Sequence, residues 1–221
     1  MMTNLFSTFD PASSTSLSLN WISTTIALTV MPTMFWIMPS RYTMLNQIIS
    51  KKMHMEFKTL MPNKKGMTLM LVTMFMFIMI NNMMGLLPYV FTGTSHVTMN
   101  LTLALPMWIA LMMFGWTNKT NEMFTHLVPQ GTPSILMPFM VCIETISNLI
   151  RPGALTVRLT ANMVAGHLLM SLLGDSTKSV SKTILLLMIS TQMMLMMFET
   201  AVSVIQAYVF STLSTLYTSE I

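Results

Sequence analysis

The chain has 221 residues, 53% of them hydrophobic and only 8% charged, and its mean hydropathy is positive. An ordinary soluble domain carries about 25% charged residues, so a soluble globular fold is excluded and a helical protein with several membrane passes is expected. The net charge of +4 does not point to nucleic acid: Arg41, Lys51, Lys52, Lys58, Lys64 and Lys65 fall in one stretch opposed only by Glu56, the pattern of a loop retained on the inner side of a membrane.

Residues 1–16 contain one acid, Asp10, and no Lys or Arg, which fits neither a signal peptide nor an Arg-rich transit peptide. A membrane helix is expected over 17–38, with Trp21 and Trp36 at the two interfaces and Pro32 kinking or breaking it. Over 41–60, Met44, Leu45, Ile48, Ile49, Met53 and Phe57 alternate with Asn46, Gln47, Lys51, Lys52 and Lys58 at helical spacing. That pattern suits an amphipathic helix lying in the interface, with an ordinary polar loop as the alternative.

From Gly66 to Asn118 there is no Asp, Glu, Lys or Arg. The run accommodates a membrane hairpin over 67–116, with spans at Met67–Phe91 and Val97–Trp116 joined by the Thr92–His96 link. Asn81 and Asn82 interrupt the first of these; buried amides of this kind usually hydrogen-bond a neighbouring helix, with a direct part in transport as the second possibility. The stretch 117–132, with Lys119, Glu122, His126 and Pro129-Gln-Gly-Thr, reads as a polar loop. Asn100-Leu-Thr and Asn118-Lys-Thr fit the glycosylation pattern without establishing it. Cys142, the single cysteine, reads as a packing residue. Thirty methionines exceed what packing demands and point to a coding bias.

Residues 134–217 do not divide into ordinary spans. The first part, to 174, is apolar and interrupted by Pro152-Gly153; the second, 180–217, contains neither proline nor glycine and is about 57 Å long as a helix, nearly twice the hydrocarbon thickness. Gly174-Asp-Ser-Thr-Lys178 supplies a helix-stopping turn between them. The expected fold is therefore an all-α membrane protein, a single integral membrane domain over 1–221. It has about five to six helices and a long, strongly tilted or near-horizontal hairpin of two C-terminal helices.

Ionisable side chains within that hairpin are few. Glu144, Arg151 and Arg158 are seven residues apart, and Asn162 and His167 follow on the same segment. On the partner segment Gln192, Glu199 and Gln206 are again seven apart, with Ser203 on the same face. A polar stripe along each of two apolar helices has the chemistry of a water-accessible path. His and Glu can exchange protons near neutral pH, amides can orient them, and Arg stays charged as a fixed positive field. A buried Arg158–Glu199 ion pair stapling the hairpin is the structural alternative.

At these residues the sequence resembles the a-subunit family of F-type ATP synthases in its animal mitochondrial form. The likeness is carried by Arg158-Leu-Thr-Ala-Asn-Met-Val-Ala-Gly-His167, Ile143-Glu-Thr-Ile-Ser-Asn148, Glu199 and Gln206-Ala-Tyr-Val-Phe-Ser-Thr-Leu213. The opening Met-Thr-Asn-Leu-Phe and the Val-Pro-Gln-Gly-Thr-Pro stretch add to it. The resemblance implies a proton-conducting stator subunit in the mitochondrial inner membrane. Its partners would be a rotating c-ring, a peripheral stalk, small membrane-sector subunits and the lipid bilayer, and it would hold no cofactor and no metal. Arg158 would be the essential charge facing the ring carboxylate and separating two offset half-channels. His167, Glu199, Asn162, Ser203 and Gln206 would serve the path from the intermembrane space, and Glu144 the matrix-side exit. Bacterial relatives carry the acid and the histidine in exchanged order. The Arg41–Lys65 loop would face the matrix and the N-terminus the intermembrane space. Two rivals from other classes are weaker. A membrane haem subunit needs two histidines at membrane depth, and only His167 qualifies; an antiporter-like subunit needs midspan lysines, which are absent. A purely structural anchor would tolerate loss of the polar stripe.

Overall fold

The computed structural model describes residues 5–14, 16–32, 37–61, 66–128, 133, 135–179 and 181–220. Trp36, Lys64, Lys65, the first four residues and 129–132, singled out above, lie outside them. Within the described residues the chain is all-helical, with seven α-helices and no strand. These are α1 (Ile26–Val30), α2 (Arg41–Leu60), α3 (Met67–Gly85), α4 (Val97–Asn118), α5 (Thr120–Leu127), α6 (Met137–Ser176) and α7 (Lys182–Glu220). Short 3-10 helices occur at Leu5–Phe9, Leu19–Thr25, Gly93–Ser95 and Thr177–Ser179.

Among the described residues three helices are long and apolar enough to cross a membrane: α3, α4 and, over Ile184–Ser219, α7. The charge-free run supplies the first two. The segment expected as a membrane helix over 17–38, kinked or broken at Pro32, begins as a 3-10 helix and continues as an α-helical stretch that ends at Val30, just before Pro32 as expected. Ser23, Thr24, Thr25 and Thr29 return their hydroxyls to backbone carbonyls, Ser23 to Phe91 and the others within the segment. Such bonds compete with regular helical pairing and help explain the tighter winding.

The hairpin link is no open loop. Gly93–Ser95 is buried, and a Cβ on Gly93 would collide with the Thr24 methyl, so glycine lets the N-terminal segment seat closely here. Trp21, Phe91 and His96 form an aromatic cluster beside it, with ring centroids 5.2–5.8 Å apart. Asn100 is buried with its Nδ2 donating to the Thr94 carbonyl at 2.8 Å, which rules out glycosylation at that site in this fold.

α5 corrects the expected polar loop. Lys119 and Glu122 pair at 3.0 Å across its first turn, and Phe124 packs edge-on against Trp116 at 5.2 Å, so His126 sits on a short helix and not in a loop. Cys142 is also corrected: it is exposed on α6, not packed.

α6 runs without interruption through Pro152-Gly153, contrary to the expected break. Proline removes one N–H from the helical ladder, but its ring is buried in the fold, where neighbouring elements hold the helix together. At 40 and 39 residues, α6 and α7 are each about 60 Å long and form an antiparallel hairpin.

α7 packs on α3, α6 and α2 through a row of small side chains, Ser203, Ala207, Ser211 and Thr215, spaced four apart and all buried. Small residues at a helix interface allow close backbone approach, the main source of helix association where lipid is as apolar as the side chains. The hydroxyls are satisfied within α7: Ser203 donates to the Thr200 carbonyl, Ser211 to Tyr208 and Thr215 to Thr212, at 2.6–2.8 Å. Against this seam lie Leu71, Phe75 and Ile78 of α3, Leu155 and Leu159 of α6, and Met53 and Phe57 of α2. α2 thereby docks by one end of its apolar stripe. Met44, Leu45 and Ile48 of the same stripe remain exposed, beside the exposed Lys51, Lys52 and Lys58.

Candidate functional site

The polar residues of the hairpin separate into two groups at different heights, with Arg158 between them on α6. The first group gathers where α3, α6 and α7 meet. Asn162, Gly166 and Met163 of α6, Glu199, Ser203 and Gln206 of α7, and Asn82 and Leu86 from α3 and its end line one small cavity. Asn162 Nδ2 donates to Gln206 Oε1 at 2.9 Å, across the hairpin. Gln206 and Ser203 are buried, and the Ser203 hydroxyl is already committed to the Thr200 carbonyl and the Met83 sulfur. Asn82 donates from Nδ2 to the Ser203 carbonyl at 3.5 Å.

Glu199 lies against Gly166. A Cβ at position 166 would fall 2.9 Å from the Glu199 carboxyl carbon and 3.0 Å from its Oε1. Glycine therefore lets the carboxylate rest on the α6 backbone, and among the described residues that Oε1 is buried without a hydrogen-bond partner. A buried acceptor of this kind marks a position for a proton or a bridging water. Gly166→Ala is expected to leave the fold intact, because the colliding group is the end of a flexible side chain. The displaced carboxylate should lose its buried position, which would shift its carboxyl stretching band in the infrared spectrum. An unchanged band in the folded variant would show that the glycine seat does not matter.

Glu199 also lines a second, much larger cleft of about 1030 Å³. His167, Gln192 and Ser171 share it, with Asp10, Asn20 and Ser23 from the N-terminal segment and the Leu86–Thr92 turn. His167 is half-buried, hydrogen-bonds the backbone of Gly85 and has a buried Nε2 without a partner among the described residues. The cleft is wide enough for many waters, and of the two residues common to cleft and cavity, Leu86 and Glu199, Glu199 is the ionisable one.

The second group lies at the other end. His126 and Met123 of α5, Glu144, Asn148 and Arg151 of α6, Trp108 and Met112 of α4 and Tyr217 of α7 line a cavity of about 250 Å³. Glu144 forms an ion pair with Arg151 at 3.6 Å, and the Arg151 guanidinium also stacks over the Tyr217 ring at 5.0 Å from its centroid. Among the described residues the ion pairs of the hairpin are this one and Asp175–Lys178 at its turn, 2.8 Å apart, and not Arg158–Glu199.

Arg158 belongs to neither cavity. It is exposed on α6, flanked by Ala154, Val157, Ala161 and Asn162, all exposed as well, and among the described residues it has no hydrogen bond or ion pair. The staple reading therefore fails. Glu144 lies fourteen residues before Arg158, about 21 Å along the helix, and His167 nine residues after it, about 13 Å. The structure thus brings Asn162, Glu199, Ser203 and Gln206 together, adds His167 through the adjoining cleft, and keeps Glu144 apart. Sequence reasoning did not assign Asn82, Gly166, His126 or Tyr217 to these sites. For Asn82 a signal existed, since a buried amide in an apolar helix needs a partner; which helix would provide it is not encoded locally.

Comparison with known proteins places this arrangement in a context. The family model described as ATP synthase A chain matches residues 15–219. The ATP synthase subunit a of Locusta migratoria is 58% identical over 224 residues, that of Aedes aegypti 57% over 225 and that of Drosophila simulans 55% over 223, each covering all of both chains.

Proposed function

We propose that this chain, which belongs to the ATP synthase A chain family, carries protons through the membrane sector by two half-channels that open at different heights and do not join. The observation that carries the reading is the placement of an exposed, unpartnered Arg158 between two separate polar cavities on one helix. A guanidinium at membrane depth costs about 2.5–3.5 kcal/mol on insertion scales, and within the described chain nothing offsets it. Its natural partner is a carboxylate on another subunit, a ring of c subunits rotating past the exposed face of α6 and α7. That face presents Ala154, Ala161 and Ala165 beside Arg158, and Met194, Met197, Ala201 and Ile205 on α7, all small or apolar.

Each residue then has a task. The wide cleft admits water and protons from the intermembrane space to His167 and Glu199, the groups of the α6–α7 hairpin able to bind and release a proton there. Glu199 passes the proton into the small cavity, where the Asn162–Gln206 amide pair orients the path but carries no charge. A ring carboxylate that receives the proton becomes neutral and can face lipid. After rotation it returns to the cavity of Glu144, His126 and Arg151, releases the proton toward the matrix, and passes Arg158 as a carboxylate. Each charge crossing is worth about 2.3 kcal/mol per 100 mV, which biases the rotation. The chain would act as a stator, held by a peripheral stalk and small membrane-sector subunits in the mitochondrial inner membrane. The basic face of α2 would lie at the matrix surface and the N-terminus at the opposite one. The tilt required of the two 60 Å helices follows from their length and low polarity.

The separation of the two paths has a direct test. Glu144→Gln is expected to lower the rate of proton-driven ATP synthesis several-fold and to alter its dependence on matrix-side pH alone. A variant whose defect tracked the pH of the opposite side would overturn the assignment of that cavity.

A further inference from the structure

The N-terminal 3-10 helix takes no part in the path derived so far, yet it forms one wall of the wide cleft, through Ser7, Thr8, Phe9 and Asp10. Its last residue, Phe9, is half-buried and meets the His167 ring at right angles, with centroids 6.1 Å apart. The turn is fixed from elsewhere. Asn20 donates from its side-chain amide to the Asp10 carbonyl at 3.3 Å, the Asp10 N–H donates to the Ser7 carbonyl, and Asp10 Oδ1 accepts the Ala12 N–H at 3.1 Å. Phe9 is thus held in place by bonds that do not involve His167.

We propose that Phe9 is a positioning residue for His167: its ring and the backbone of Gly85 clamp the imidazole, so that the buried Nε2 stays directed to one proton-transfer partner. The inference rests on the proton-path reading above. An imidazole can rotate about its terminal torsion with little preference of its own, and here one side of it borders a cleft of about 1030 Å³. A perpendicular aromatic contact restricts that rotation and excludes water from one edge of the ring. The aliphatic side chains around the cleft, such as Met170, Met196 and Leu86, fill space but provide no such directional contact. Among the described residues the titratable groups facing the cleft are His167 itself, Asp10 from the N-terminal segment, Tyr89 from the turn after α3 and Glu199 from α7, and no Lys or Arg lines it.

The test uses the intact complex reconstituted in vesicles, with proton-driven ATP synthesis measured per assembled complex against the pH on the cleft side. Phe9→Leu keeps the bulk and loses the ring. It is expected to lower the rate about threefold and to move the midpoint of the cleft-side pH dependence, while Phe9→Tyr restores both. A Phe9→Leu complex with the unaltered midpoint would overturn the proposal. So would failure of both Phe9→Leu and Phe9→Met to assemble where Phe9→Tyr assembles, since the residue would then be structural. Glu199→Gln run in parallel separates the two levels: if it conducts at full rate the proton path itself is wrong. If it is slow while Phe9→Leu is unshifted, only the role of Phe9 is lost.

Discussion

Replacing Arg158 with alanine is expected to abolish proton-driven ATP synthesis while the complex still assembles. Assembly survives because Arg158 supports nothing in the fold: it is exposed and, among the described residues, unbonded, and its removal leaves the seam of Leu155, Leu159 and Met163 untouched. In the proposed mechanism coupling is lost because the guanidinium alone distinguishes a charged ring carboxylate from a protonated one. At about 4 Å and an effective dielectric near 20, two opposite charges attract by about 4 kcal/mol, on the order of a thousandfold in population. With Arg158 present, a carboxylate would cross between the proposed half-channels by shedding its proton. Without it, a protonated carboxyl can pass directly from one to the other, and protons leak without driving rotation. Arg158→Lys is expected to fail as well. An ammonium on a flexible stem can lose its proton in an apolar setting, whereas a guanidinium cannot. The measurement is ATP synthesis against passive proton leak in vesicles containing the purified complex; normal synthesis by Arg158→Ala would end the central claim.

The helical class and the length of the C-terminal hairpin are written in composition and in the absence of charges. A run without Asp, Glu, Lys or Arg over Gly66–Asn118 leaves little choice but membrane helices, and α3 and α4 lie there. What periodicity cannot encode is which helix lies next to which. Seven-residue spacing sets Gln192, Glu199 and Gln206 on one face of α7, but only packing splits that stripe, assigning Gln192 to the wide cleft, Gln206 to the small cavity and Glu199 to both. The same limit hid Asn82, whose partner is the carbonyl of Ser203, 121 residues away. Local signals also misled where tertiary contacts prevailed. Pro152-Gly153 reads as a break, yet α6 continues because Pro152 is buried among neighbours. Pro32 reads rightly, since the helix ends at Val30 just before it, but the apolar pattern gives no sign that Leu19–Thr25 winds as a 3-10 helix. Gly166 carried no readable signal, since its value lies in a side chain from another helix resting on it.

The second large effect concerns Glu199, which with the apolar Leu86 lines both cavities on the His167 side and is the ionisable one of the two. Glu199→Gln is expected to slow proton-driven synthesis by about tenfold or more, within the range seen when a positioned proton donor or acceptor is removed. Glutamine has nearly the same shape, so it can occupy the seat on Gly166 and leave the packing of α6 on α7 as it is. It can also accept and donate hydrogen bonds, so water in the cleft keeps a partner. What it cannot do is take up a proton and release it on the other side, from the cleft to the Asn162–Gln206 pair. The loss should therefore appear in rate and not in assembly, and it should differ in kind from Arg158→Ala. Passive leak is expected to stay low, because the positive field at Arg158 is intact. Glu199→Asp, which retains the acid but shortens its reach, should recover part of the rate. Full-rate flow through Glu199→Gln would mean that water alone connects cleft to cavity, and that Glu199 only shapes the passage.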